Sequence, residues 1–175
     1  MKRSPLQLEW LSYPAASFRA LPVGEDPIKP LMIKIAATVT YHLDSPHQVE
    51  LTLSSQDDID GAAYSISVEA IAAFRFDLDQ ARAVYHDAPA NALPMVLAVN
   101  VTRIVYSAAR ELLATLTARA PHGSVLIDSI LIGPEDVTIG SVEPQDKILS
   151  TVFGADARAP AKRSNKPRKT EGQAG

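Results

Sequence analysis

Four histidines, three closely spaced aspartates and a scatter of serines are the side chains here whose types could do chemistry. His42 and His47 flank a turn and could approach one another, while His86 and His122 stand apart. No HExxH occurs and no two histidines stand at i, i+4, the spacing that puts two ligands on one helix face. The pair therefore reads as solvated polar residues at a hairpin. Asp57, Asp58 and Asp60 resemble a fragment of a calcium loop. Gly61 is out of register for that loop and no glutamate closes it, so they read as an acidic hairpin tip. Serine, histidine and aspartate all occur, but no serine sits in a nucleophile elbow. Cysteine is absent, which excludes a disulfide framework, a thiolate nucleophile and cysteine-based metal sites. The 8 glycines form neither GxGxxG nor GxxxxGK, so no phosphate loop is present. The sequence assigns no catalytic residue, no metal and no cofactor. It predicts a protein that is not an enzyme and whose work is binding.

The elements that would position a binding surface are legible from periodicity. Ile33, Ile35, Ala37, Val39, Tyr41 and Leu43 alternate with polar or small residues, as a strand with one covered face must. Asp44-Ser45-Pro46-His47 suits a chain reversal. Val49, Leu51 and Leu53 then alternate with Glu50, Thr52 and Ser54. A long third run puts Tyr64, Ile66, Val68, Ala70, Ala72, Phe74 and Phe76 inward and Ser65, Ser67, Glu69, Ile71, Ala73 and Arg75 outward. Leu6, Leu8 and Trp10 against Gln7 and Glu9 predict an earlier strand. Short reversals make such neighbours antiparallel, with one face covered.

The period then changes. Leu97, Val101, Ile104, Val105, Ala108, Leu112 and Leu116 recur at helical spacing, with Asn100, Arg103, Ser107, Arg110 and Thr117 towards the other side. Pro94 fits the start of that helix, and Pro121 and Gly123 end it. A shorter helix is predicted over 79–86. Residues 125–132 form an apolar extended segment closed by Gly133-Pro134, and only 147–153 suit a further short helix. The expected fold class is α+β: a four-stranded antiparallel sheet covered on one face by a long helix, followed by an extended segment.

The chain has 175 residues, enough for one domain with a real core, and 46% hydrophobic against 21% charged residues exclude wholesale disorder. The net charge of −3 conceals a split. Residues 154–175 carry six basic side chains against Asp156 and Glu171, which gives +4 and leaves −7 for the first 153. That tail has no large apolar residue, so 1–153 is expected to form the domain and 154–175 a disordered basic tail. A basic tail suits nucleic acid or an acidic partner. No stretch is long and apolar enough to span a bilayer, and no apolar signal core follows Met1-Lys2-Arg3, so the expected location is cytoplasmic, with no membrane insertion.

One resemblance is carried by the long helix. Val96-Leu97-Ala98-Val99-Asn100-Val101-Thr102-Arg103-Ile104-Val105-Tyr106-Ser107-Ala108-Ala109-Arg110-Glu111-Leu112, with Leu116-Thr117-Ala118-Arg119-Ala120, is similar to the signature helix of the SecB family of export chaperones. The preceding strands, and the start Leu8-Glu9-Trp10-Leu11-Ser12-Tyr13 with Phe18, resemble the same layout over roughly residues 6–137. Ser107 replaces the family's usual proline, prolines and glycines interrupt the region of its C-terminal helix, and the basic tail is atypical. Those departures fit a divergent, toxin–antitoxin-associated SecB-like chaperone.

The resemblance implies an ATP-independent holdase that binds unfolded client polypeptides in hydrophobic grooves, in protein export or antitoxin protection. It implies a homo-oligomer, a dimer of dimers, and SecA or an antitoxin as partner. The expected peptide-binding residues are Phe74, Phe76, Leu78, Tyr85, Val125, Ile127, Ile130 and Leu131. Glu69, Asp57 and Asp58 are the expected partner-binding residues. Ala98, Ala108, Ala109 and Leu112 are the expected oligomer interface, being small or apolar on the long helix. The competing reading is a SecB-fold adaptor that binds one folded partner, its basic tail contacting nucleic acid or an acidic surface.

Overall fold

The computed structural model describes residues 4–23, 31–55, 61–125, 127 and 129–155. Asp57, Asp58 and all but the first two residues of the basic tail lie outside the described residues. Among the described residues five strands form one sheet: β1 (Leu6–Ala20), β2 (Ile33–Tyr41), β3 (His47–Ser55), β4 (Tyr64–Phe76) and β5 (Val137–Ser141), in the spatial order β1-β4-β3-β2-β5. Three helices accompany it: α1 (Leu78–Val84), α2 (Leu93–Thr117) and α3 (Gln145–Thr151). The class is α+β as expected, but the sheet is mixed and five-stranded rather than antiparallel and four-stranded. β1, β4, β3 and β2 pair antiparallel, and β5 joins β2 in parallel, Ala37 opposite Val137 through Tyr41 opposite Ser141.

The fifth strand escapes a sequence reading because Val-Thr-Ile-Gly-Ser is only five residues long and sits between Pro134 and Pro144. Its glycine, read as a break, has a packing reason. A Cβ on Gly140 would stand 3.0 Å from the Thr40 hydroxyl on the paired strand.

The alternation of β2, β3 and β4 is realised as read. Val39, Val49, Leu53, Val68, Ala72 and Phe74 have no exposed surface, and their neighbours are more exposed, except that Ala73 on the outer face is also buried. β1 departs from simple alternation. Leu8 pairs with Phe74 and Trp10 with Ala73, so the extra residue between them flips the strand. Leu8 lies on the core face, whereas Trp10 is 48% exposed on the opposite, outer face. A second shift between Ser12 and Ala15 returns Ala16 and Phe18 to the core side.

Local chemistry starts and stops the helices. Asp77 caps α1, its Oδ1 accepting from the Gln80 amide at 3.0 Å. Pro94 stands in the first turn of α2, where its missing N–H costs nothing. Gly123, at φ +79°, turns the chain beyond the far end. The stripe Leu97, Ala98, Val101, Val105, Ala109 and Leu113 is wholly buried against the sheet. Each of its Leu and Val side chains contributes about 1.5–3 kcal/mol of burial.

Candidate binding surface

Helix α2 lies across the sheet, and its two flanks are finished differently. On one flank residues 124, 125, 127 and 129–133 run back beside the helix and are tied to it at intervals. Ser124 Oγ donates to the Ala114 carbonyl at 2.7 Å, and the Val125 amide donates to Thr117 Oγ1 at 2.7 Å. Arg110 Nη1 donates to Ser129 Oγ at 3.0 Å. Arg103 donates from Nε at 3.2 Å and Nη2 at 2.6 Å to the carbonyl of Ile132. Arg103, Arg110 and Thr117 are seven residues apart, which at 3.6 per turn aligns them on one side of α2. The strap that results buries Val125, Ile127 and Ile132 and leaves Ile130 and Leu131 outside, Leu131 at 83% exposure.

The N-terminal end of α2 sits over an aromatic cluster. Tyr41 meets Phe74, Phe76, His47 and Phe153 at ring-centroid distances of 5.0–6.3 Å, and Phe76 stacks on Phe153 at 5.3 Å. The Tyr41 hydroxyl donates to the Pro94 carbonyl at 2.7 Å, and burial pushes its pKa up. Arg82 holds the end of the described chain, Nη2 donating to the Phe153 carbonyl at 2.7 Å. His47 is buried here. Its Nδ1 accepts from the His42 amide at 3.3 Å, so the proton of its neutral ring belongs on Nε2. Burial, and then the charge of His42, lower its pKa to about 4. Far from being solvated, His47 is part of the core, which corrects the hairpin reading.

The opposite flank, towards β1, is left open. Leu11 and Tyr13 are half-buried on the core side of β1, and Phe18 at its end is 37% exposed. Ala108 and Leu112 face them from α2 half-buried, with Ile104 at 40% and Leu116 at 41% exposure. An open groove of about 570 Å³ runs along this side, lined by Leu6, Tyr85, Ile104 and Ala108 and by the polar Asn100, Arg103 and Glu111. Burial first, and the Glu111 carboxylate second, raise the Tyr13 pKa.

The eight expected peptide-binding residues are thus distributed over four places. Phe74 is wholly buried and Phe76 half-buried in the aromatic cluster. Leu78 is half-buried at the start of α1, and Tyr85 lines the open groove. Val125 and Ile127 are buried under the strap, near the far end of α2, while Ile130 and Leu131 are exposed on it. Tyr64, at the other end of β4 from Phe76, donates to the Gly123 carbonyl at 2.8 Å, so the turn before Val125 and the Phe76 cluster sit at opposite ends of one strand. Among the interface residues, Ala98 and Ala109 lie wholly within the protomer's own core, while Ala108 and Leu112 face the open flank. Glu69 is exposed on the outer sheet face, opposite Thr52 and Ala15.

Sequence reasoning placed Ile104 and Leu116 on the apolar stripe of the long helix and quoted Leu11 and Tyr13 only for the resemblance, so none of the four was expected to bind. The usable signal was the width of the apolar stripe on α2, which exceeds what one sheet covers. The tethering role of Arg103 and Arg110 carried no such signal, because two arginines on a polar helix face look like solvated charge.

Among the described residues no group of three His, Asp or Glu side chains could hold a metal ion, and no helix is long and apolar enough to cross a membrane. What the described geometry offers is an α+β layer with an open apolar flank, the form of a binding surface. A comparable solved structure is a SecB-like chaperone from Mycobacterium tuberculosis in complex with a ChAD peptide from the HigA1 antitoxin. It is 16% identical, with 72% of this chain and 91% of that chain covered, at a TM-score of 0.46. No protein-family model and no curated protein matches the chain.

Proposed function

We propose that this protein is an ATP-independent holdase whose clients are unfolded polypeptide segments bound along the open flank of α2. The observation that carries the reading is the row of uncovered apolar side chains between β1 and α2: Phe18, Ile104 and Leu116 exposed, Leu11, Tyr13 and Leu112 half-covered. Isolated exposed apolar residues are ordinary, whereas a continuous row beside a groove marks an interaction surface. A segment laid there gains roughly 25 cal/mol per Å² of apolar surface buried, whatever its sequence. Low specificity, multiplied over protomers of a homo-oligomer, suits a holdase. The resemblance of the α2 sequence to the SecB signature supports the reading and suggests export precursors or an antitoxin as clients, in the cytoplasm.

Light scattering tests it. Full-length protein in molar excess should suppress aggregation of thermally unfolding citrate synthase without ATP. Ile104→Ser combined with Leu116→Ser should weaken suppression severalfold with little change in the unfolding curve. No suppression by the wild-type chain would sink the proposal.

A second reading, an adaptor for one folded partner, is favoured by a different observation. Trp10 is 48% exposed on the outer sheet face, beside Ala73 and close to Ile71, with Glu50 and Glu69 on the same face. A folded partner seated there would cover Trp10, and a client held in the groove would not.

A further inference from the structure

We infer that the cleft between α2 and the strap binds a free apolar α-amino acid, its carboxylate on Arg110, its ammonium on Glu111 and its side chain over Val125 and Ile127. The inference does not depend on the polypeptide-binding reading. It starts from a cation that the fold holds in place and leaves partly unused. Arg110 Nη1 donates to Ser129 Oγ at 3.0 Å, and its Cζ stands 5.8 Å from the Tyr106 ring centroid. Its Nε is shielded from solvent without a hydrogen-bond partner. A shielded donor left unmade is uncommon and asks for an acceptor. The Nε–Nη2 edge of a guanidinium is the edge of the fork that takes both oxygens of a carboxylate.

Arg110 lines a cleft of about 330 Å³ together with Ser107, Glu111, Ala114, Val125 and Ile127. Small-molecule sites run from about 300 to 1,000 Å³, so this one suits a ligand at the small end of that range. Ser107, Glu111 and Ala114 follow one another at i, i+4 and i+7 and form the helix wall. Ala114 keeps that wall low, and the Ser107 hydroxyl, exposed at the rim, both donates and accepts. Val125 and Ile127, almost wholly buried, form an apolar wall on the strap side.

Charge narrows the ligand further. Glu111 is an exposed carboxylate, and among the described residues neither it nor Arg110 forms an ion pair. A simple anion drawn to Arg110 meets the Glu111 carboxylate, and a simple cation drawn to Glu111 meets the guanidinium. A ligand that carries both charges a short distance apart meets neither conflict. Its apolar side chain then falls to Val125 and Ile127. Such a ligand touches the helix and the strap at once, so its binding should hold the strap more firmly to α2.

The test is equilibrium dialysis of radiolabelled L-leucine against the full-length protein at low ionic strength. Saturable binding is expected. Leucinamide lacks the carboxylate and N-acetyl-leucine lacks the ammonium, so each should compete about tenfold less well than leucine. Arg110→Gln should weaken leucine about tenfold or more. Glu111→Gln, on an exposed side chain, should weaken leucine about fivefold and strengthen N-acetyl-leucine, because the repelling carboxylate is gone. Hydrogen exchange at residues 129–133 of the wild-type chain should slow when leucine is added. Absence of saturable leucine binding by the wild-type chain overturns the inference. Equal competition by leucine and N-acetyl-leucine, or an unchanged preference between them in Glu111→Gln, overturns it even if Arg110→Gln fails to fold.

Discussion

The two flanks of α2 start from the same helix and the same sheet, yet one is tied shut and the other is open. Towards β5 the strap is bound to the helix through Thr117, Arg110 and Arg103, and the aromatic cluster closes the end. Towards β1 an apolar row remains half-covered beside a groove. The difference teaches that covering the sheet takes more than one helix. Among the described residues that additional cover is present on one side only, and polar bonds to main-chain groups hold it in place. Stability should therefore concentrate on the tied side and binding on the open one.

The largest effect expected from that contrast is at Phe74, which has no exposed surface and lies among Tyr41 and His47. Phe74→Ala should lower the unfolding free energy by about 3–5 kcal/mol, enough to unfold a marginal domain. Leu116→Ala, on a side chain 41% exposed, should cost less than about 1 kcal/mol. Urea unfolding of the two variants compares the flanks directly. Similar losses would erase the distinction.

Acid probes the closed end next. The His47 pKa is held near 4 in the folded chain, against an ordinary value near 6.5. Between those values the unfolded chain binds the proton and the folded chain does not, so stability is full above about pH 6.5 and falls as pH drops towards 4. The loss attributable to this group reaches up to about 3 kcal/mol. His47→Leu should flatten that part of the curve of unfolding free energy against pH. An unchanged slope would show that His47 is not the group responsible.

A smaller and more local effect belongs to Arg103. Its guanidinium makes two bonds to one carbonyl from a partly exposed position, so Arg103→Met should loosen the strap by about 1–2 kcal/mol. Hydrogen exchange should accelerate at residues 129–133 and stay unchanged in β3 and β4. Faster exchange throughout would mean that the strap and the sheet open as one unit.

How much of this was legible in the sequence follows from which forces leave a periodic trace. The alternation of Val39, Leu51, Val68 and Phe74 records burial on one sheet face, so β2, β3, β4 and α2 could be read from it. Trp10 was placed on the wrong face because one inserted residue inverts a strand, and no composition signal marks the insertion. β5 was missed because its parallel partner is about a hundred residues away and its glycine imitates a break. The candidate groove was only partly legible. Periodicity shows that Ile104 and Leu116 are apolar on the helix, but not where the sheet stops covering them. Phe74 and Val125 were grouped as one site although the antiparallel return of β4 and α2 separates them.

The smallest effect separates the two proposed modes of binding and leaves stability untouched. Trp10 is the sole tryptophan of the chain, so its emission reports on the outer sheet face alone. At 48% exposure it can move from partly wet to dry only if something covers that face. Binding of a tryptophan-free unfolded client along the open flank of α2 should leave the emission maximum where it is, because Leu8 and Trp10 lie on opposite faces of the sheet. A folded partner seated over Trp10, Ile71 and Ala73 should shift the emission to the blue, and Glu69→Lys should remove that shift if the partner is basic. A blue shift accompanying client binding would move the binding surface from the helix side of the sheet to its outer face.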